Sequence, residues 1–245
     1  MRVLVVTAVA AEAEAVAAGL TGLVSDTRPL PGGYTLARHA RTIPPPGATP
    51  RPPSAHTPVV DVLAAGVGPA AAAAGTATAL ALDTYDLVVS AGIGGGFRPH
   101  APIGSVVVAD AIVAADLGAE TPDGYLPVDE LGFGRSTHRP PGELAARIAK
   151  TLNSLYAPVL TVSTVTGTAA RAAELSARHP RAAAEAMEGF GVAEAAAAHA
   201  LPVLEIRAIS NAVGPRDRAA WRIGLALDSL RYAFQLLTPV LEESP

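Results

Sequence analysis

The sequence predicts an α/β protein: a three-layer α/β/α sandwich around a central mixed, mostly parallel sheet. Short apolar runs rich in Val, Ile and Leu, bounded by Gly, Pro or Asp, read as buried strands, and alanine-rich stretches of helical length lie between them. This alternation places helices on both faces of a largely parallel sheet.

The first apolar run, residues 3–7, is too short for a signal-peptide core or a membrane span, so it reads as a strand of a cytoplasmic protein. The remaining strands fall at 59–64, 87–90, 105–109, 159–163 and 203–209. Helices are expected at 10–20, 69–82, 141–155, 168–177, 191–200 and 218–237, where alanine, the best helix former, recurs. The proline-dense segment 28–58 departs from the pattern. It predicts a short hairpin near 34–40 and then a Pro-rich surface loop at about 41–58. The alternative is a linker between two domains, but the same alternation resumes afterwards, so residues 1–245 are expected to form one domain.

Half of the 245 residues are hydrophobic and 16% are charged, enough to bury one large core. A net charge of -4 offers no electrostatic footprint for nucleic acid, and no basic block marks a membrane surface. The expected partner is a small molecule. The chain has no cysteine, which excludes disulfides, thiolate nucleophiles and zinc–thiolate sites. Its six histidines, at positions 39, 56, 100, 138, 179 and 199, lack metal-ligand spacing, so no metal site is expected.

Two glycine-rich segments follow strands. Gly66-Val67-Gly68-Pro69 opens a helix like the start of a dinucleotide fingerprint, but the acidic residue such a fingerprint needs is misplaced: Asp86 stands at the beginning of its strand. A tight strand-to-helix turn is the better reading. Gly92-Ile93-Gly94-Gly95-Gly96 reads as a second turn, leading to another strand, whose backbone can approach a ligand closely. Ligands of open α/β sheets gather outside the carboxyl ends of the strands. One cleft could there collect residues 7–12, 66–68, 92–96, 163–167 and 207–211. Arg207 stands out within it, because a charge in an apolar strand needs a partner or ligand to offset its desolvation.

These parts, in this order, resemble the nucleoside phosphorylase and nucleosidase superfamily: Glu12 after the first strand, the SAGIGGGF segment from Ser90, Met187-Glu188-Gly189, and Arg207-Ala-Ile-Ser210-Asn211. Three stretches resemble its futalosine hydrolase subgroup in particular: VVVADAIVAADLGAETPDGYLPVDELGFG from Val106, TVSTVTGT from Thr161 and SNAVGPRD from Ser210. The resemblance implies a nucleoside phosphorylase-like fold and a cofactor-free enzyme. It would hydrolyse the N-ribosidic bond of futalosine, in menaquinone biosynthesis, and release hypoxanthine. It also implies a homodimer or higher homo-oligomer.

Carried onto this chain, the resemblance gives Glu188 to the ribose hydroxyls, with Met187 beneath the sugar, and gives Glu12 to the attacking water. Arg207 would hold Glu12 or that water. Asn211 stands where nucleosidases acting on 6-aminopurines have an aspartate. Its amide offers both a donor and an acceptor, which suits a 6-oxopurine. Asp217 would supply a proton or hold the base, or else cap the following helix. Ile93, Gly94, Thr164, Val165, Thr166 and Gly167 would line the substrate, although the threonines could simply satisfy turn backbone. Arg98 would meet a substrate carboxylate or remain exposed. Ile93 departs from the serine that related nucleosidases use to bind water.

Phosphorolysis is the main alternative, together with a nucleosidase of the methylthioadenosine/adenosylhomocysteine type and a non-catalytic nucleotide-binding domain. Phosphorylases need an anion site, and the first loop here, TAVAAEAEAV, has neither glycine nor arginine, so hydrolysis is preferred.

Overall fold

The computed structural model describes residues 1–41 and 58–242. The proline-rich loop expected at about 41–58 therefore falls, between its first and last residues, outside the described residues.

Strand β1 (Arg2–Thr7) is the axis of the sheet, pairing in parallel with β4 (Val59–Ala64) on one side and β5 (Leu87–Gly96) on the other. Beyond β4 lie β3 (Thr35–Ala40) and β2 (Val24–Pro29), an antiparallel hairpin. The hairpin expected near residues 34–40 is present, but its first strand begins ten residues earlier, in a polar segment without an apolar run.

On the other side, β5 pairs in parallel with β12 (Val203–Ala212), which runs antiparallel to β6 (Val106–Ala114), followed by β10 (Leu155–Thr161) and β11 (Ala184–Ala186). The far end of β5 then pairs antiparallel with β11, so five strands curl into a closed ring instead of continuing an open sheet. A small hairpin, β7 (Gly118–Thr121) with β8 (Gly124–Pro127), stands apart, and β9 (Thr137–His138) pairs with β6.

Helices cover both faces of the sheet. Helices α1 (Ala10–Gly19), α3 (Gly142–Thr151) and α6 (Ile223–Glu242) bury Val16, Ile148, Leu230 and Phe234 against Val3, Val5, Val89 and Ile206. Helices α2 (Pro69–Leu82) and α5 (Gly189–Ala198) pack Ala72, Ala79, Val192 and Ala196 against Leu4, Val6, Leu63 and Val88 on the opposite face. The alternation of side chains along each strand supplies both faces. Helix α4 (Ala169–Arg178) seats Leu175 in a third cluster with Phe97, Val113 and Leu160. The result is a three-layer α/β/α arrangement around a mixed sheet. None of the described helices is long and apolar enough to cross a membrane.

Gly92–Gly96 is not a turn. These residues extend β5, in parallel register with β12 from Arg207↔Gly92 to Ala212↔Gly96. Glycine is usually poor in strands. Here its missing side chains leave room for polar groups from neighbouring elements.

Candidate active site

Arg207 sits in the middle of β12, completely buried. Its Nε donates to Glu205 Oε1 at 2.9 Å and its Nη2 to Ser90 Oγ at 3.0 Å. The ion pair with Glu205 was legible in principle, because residues two apart on a strand share a face. Arg207 Nη1 lies 3.2 Å from Glu188 Oε2 but makes no aligned hydrogen bond, and Glu205 Oε2 likewise has no donor. Burial pushes the Glu205 carboxyl up, against the pull of Arg207, with Glu188 adding to the rise. For Arg207, burial works against the charge, but Glu205, Glu188 and Glu12 outweigh it and hold the guanidinium firmly ionised.

Glu12, in the first turn of α1, is also buried. Its Oε2 accepts from the N–H groups of Ala8 (2.9 Å) and Val9 (3.2 Å), and its Oε1 from that of Ile93 (2.9 Å). Glu12 and Arg207 meet at Gly92, where a Cβ would lie 2.6 Å from Glu12 Oε1 and 2.7 Å from Arg207 Nη1. The expected clasp of Glu12 by Arg207 takes a different form. The guanidinium forms its ion pairs with Glu205 and Glu188, while backbone N–H groups fix Glu12. Ile93 contributes its N–H, and its side chain packs on the core.

Glu188 immediately precedes α5, almost wholly buried. Its Oε1 accepts from Gly68 N–H at 3.1 Å, so the Gly66–Gly68 turn serves the site directly. Its Oε2 accepts from Met187 N–H at 3.3 Å. Thr161 Oγ1 accepts from Phe190 N–H at 2.9 Å and fixes the start of the helix. Four groups from three parts of the chain, Glu12, Glu188, and Glu205 with Arg207, thus form one buried cluster.

Asn211 lies farther along β12, opposite Gly95. Its Oδ1 accepts from Ser210 Oγ at 2.8 Å, and its Nδ2 donates to the Ala212 carbonyl at 3.1 Å. Ser210 also donates to the Gly94 carbonyl at 3.2 Å. The loop carrying Thr164, Val165, Thr166 and Gly167 follows β10. Asp116 holds it through Ser163 N–H (2.7 Å), and its Gly167 carbonyl accepts from Arg216 N–H at 3.2 Å, which ties it to the end of β12.

Glu185, which sequence reasoning missed, accepts both the N–H of Thr166 at 2.8 Å and its hydroxyl. Burial pushes its carboxyl up, against the pull of those two bonds. The surrounding AAAEAMEG reads as helix, so nothing in the sequence marked it as a strand residue facing a loop.

Two expected residues stand apart from this cluster. Asp217 is exposed and accepts from Ala219 N–H at 3.1 Å, capping a short 3₁₀ turn at Arg218–Ala220 ahead of α6. Of its two readings, the cap is the one with a contact. Arg98 is exposed on the segment after β5 and makes no contact with the cluster. Among the described residues, no group of His, Asp or Glu side chains is placed to hold a metal ion.

Residues 54–232 match the family model of the phosphorylase superfamily. The chain is 68% identical over 187 residues to the futalosine hydrolase of Streptomyces coelicolor, covering 74% of this chain and 80% of that protein. It is 46% identical over 239 residues to the futalosine hydrolase of Acidothermus cellulolyticus, covering 96% and 89% respectively. Among solved structures, it superposes on the futalosine hydrolase of Helicobacter pylori strain 26695 with a TM-score of 0.78 at 16% identity, covering 97% of each chain. A Streptococcus pyogenes S-adenosylhomocysteine nucleosidase in complex with 5-methylthiotubericidin gives a TM-score of 0.79 at 19% identity, covering 100% of this chain and 98% of that one. The chain belongs to the phosphorylase superfamily and, within it, to the futalosine hydrolases.

Proposed function

We propose that this protein hydrolyses the N-ribosidic bond of futalosine, releasing hypoxanthine and the dehypoxanthinyl product, with residues 1–245 acting as one unit. The observation that carries the reading is the seat of Glu12. The N–H groups of Ala8, Val9 and Ile93 would suit an oxyanion, and a carboxylate of the chain itself fills them. A phosphate brought there would lose those donors and meet a negative charge. Water meets an acceptor.

Cleavage builds positive charge on the ribose and negative charge on the departing purine. Glu188, anchored by Gly68 and Arg207, retains lone pairs for the ribose hydroxyls and faces the cationic sugar. Glu12 accepts the proton of water as its oxygen bonds to the anomeric carbon and the bond to the purine nitrogen breaks. Arg207, neutralised by Glu205, fixes Glu188 as a positioning residue. Asn211 faces the base, and the departing purine takes up a proton. The substrate itself is inferred from the relatives that carry the name.

The test is to incubate the protein with futalosine, inosine and methylthioadenosine, each with and without phosphate. Base release from futalosine independent of phosphate is expected; release only with phosphate would overturn hydrolysis. Glu188→Gln and Glu12→Gln should each lose most of the rate while folding normally. Assembly into a homo-oligomer of a cytoplasmic protein belongs to the same proposal. Exposed Phe133, Leu225 and Tyr232 offer apolar surface for assembly, and sedimentation analysis tests it.

A further inference from the structure

Glu185 lies two residues before Met187 on β11, in register with Gly95 of β5, which is itself in register with Asn211 of β12. Neighbouring strands are about 4.8 Å apart, so Glu185 and Asn211 flank a glycine across a span of about 10 Å. That span suits the long edge of a purine. At Gly95, a Cβ would lie 3.3 Å from Asn211 Nδ2 and 2.9 Å from Val213 Cγ2, so only glycine lets the amide and the valine approach β5 this closely.

The two sides of this slot have opposite hydrogen-bonding character. Glu185 is 5% exposed, yet among the described residues it has no ion-pair partner; both of its oxygens are engaged by Thr166. The Thr166 hydroxyl hydrogen is committed to that carboxylate, so the hydroxyl can offer only lone pairs elsewhere. This wall accepts. On the other side, Asn211 Oδ1 accepts from Ser210 and one Nδ2 hydrogen is used by Ala212, which leaves one hydrogen to donate and one lone pair on the oxygen. That wall can donate, which the Thr166 hydroxyl cannot.

A 6-oxopurine presents a ring N–H donor beside a carbonyl acceptor; a 6-aminopurine has an acceptor at that ring nitrogen. We propose that Glu185 is a specificity-determining residue of the base site, acting through Thr166 so that the wall facing Asn211 selects the ring N–H of a 6-oxopurine. This rests on the reading of the site as a purine nucleosidase centre.

The discriminating variant is Glu185→Gln. It conserves shape and an acceptor for Thr166 N–H, but turns an NH₂ group toward the Thr166 hydroxyl, which must then accept and point its hydrogen outward. Affinities for hypoxanthine and adenine, measured by calorimetry on the full chain, should show the hypoxanthine preference falling at least about tenfold, which is about 1.4 kcal/mol. With futalosine, KM should rise by a similar factor while kcat stays within about threefold, since a base-reading group lost from ground and transition state alike acts on KM. Thr166→Val, in a loop, should reproduce the loss of preference if Glu185→Gln does not fold. A preference unchanged in a folded variant, or a wild type that binds neither base, overturns the proposal. A wild type with the preference and its loss in the variant, yet without futalosine hydrolysis, would instead overturn the hydrolase reading and leave this one standing.

Discussion

Gly189 and Glu205 compete for the same space: a Cβ at Gly189 would overlap both carboxylate oxygens of Glu205. The glycine of Met187-Glu188-Gly189 is therefore explained by a residue sixteen positions away on β12. The Arg207 counter-ion lies directly under the start of α5, beside the carboxylate proposed to hold the ribose.

Gly189→Ala should accordingly lower stability by about 1–3 kcal/mol, the usual cost of overpacking, and reduce the rate by displacing Glu188. The unfolding midpoint should fall by several degrees. The cost should shrink when Glu205 is already alanine, because the obstructing carboxylate is gone. A double-mutant cycle checks this; additive effects would show that the two residues do not share the space.

Asn211→Asp should admit 6-aminopurine nucleosides in acidic solution. The new carboxyl would keep the bond from Ser210 on one oxygen and set the other against the Ala212 carbonyl, now 3.1 Å from Nδ2. Two oxygens at that distance repel while the group is ionised, which favours the protonated acid; turned from the carbonyl to the leaving base, its single hydrogen makes it a donor. Methylthioadenosine turnover by the variant should appear at low pH and decline as pH rises. Turnover that is absent throughout, or that rises with pH, would contradict the account.

Ile93→Ser should leave the rate within about threefold. The contact with Glu12 comes from the backbone N–H, which survives the change, whereas the isoleucine side chain packs on the core. Partial loss of that packing should cost about 1–2 kcal/mol. A rate loss of a hundredfold in a folded variant would show that the side chain itself serves the reaction.

The elements legible in the sequence were those whose composition contrasts with their surroundings. Val-rich runs between alanine-rich stretches marked β1 and β4 almost to the residue, and the start of β12, which runs three residues past its expected end at 209. Strand β2, VSDTRP, is mostly exposed and carries no apolar signal, while β11, AEA, is helix-like in composition and becomes a strand only because β10 and β5 both pair with it. The glycine strand was misread for the same reason: its pairing partners, 88 or more residues away, override a poor local preference. In the site, Glu12, Glu188, Arg207 and Asn211 were visible through the resemblance. Glu205 was hidden in an apolar run and Glu185 in an alanine-rich one. The role of Glu185 comes from a loop that local spacing does not place, whereas Glu205 could have been found from its two-residue spacing to Arg207.

Away from the site, the buried Asp61 predicts how the fold responds to acid. Its carboxylate accepts from Arg2 Nη2 (2.6 Å), Arg38 Nε (3.0 Å) and Tyr85 Oη (2.8 Å), joining β1, β3, β4 and the segment between α2 and β5. Burial favours the neutral acid, but the bonds from Arg38, Arg2 and Tyr85 outweigh it and hold the group below the usual carboxylate range. A depressed folded pKa means that the unfolded chain binds the proton more readily. The contribution is therefore fully present above the unfolded value, about 3.9, and is lost as pH falls through the lower folded value. Glu185 and Glu205, shifted upward by burial, act in the opposite sense at higher pH, so the acid limb reports Asp61, its neighbour Asp83, which Arg2 also holds down, and the exposed Glu174, held down by Arg171. Asp61→Asn should cost about 1.5–3 kcal/mol at neutral pH, because the partly exposed Arg2 and Arg38 keep Asp83 as a partner but lose their charge-assisted bonds to Asp61. It should also flatten the acid limb of stability measured by urea unfolding from pH 5 to pH 2. Parallel wild-type and variant curves would mean that Asp61 titrates alike in the folded and unfolded chains, and that another carboxylate sets the acid limit.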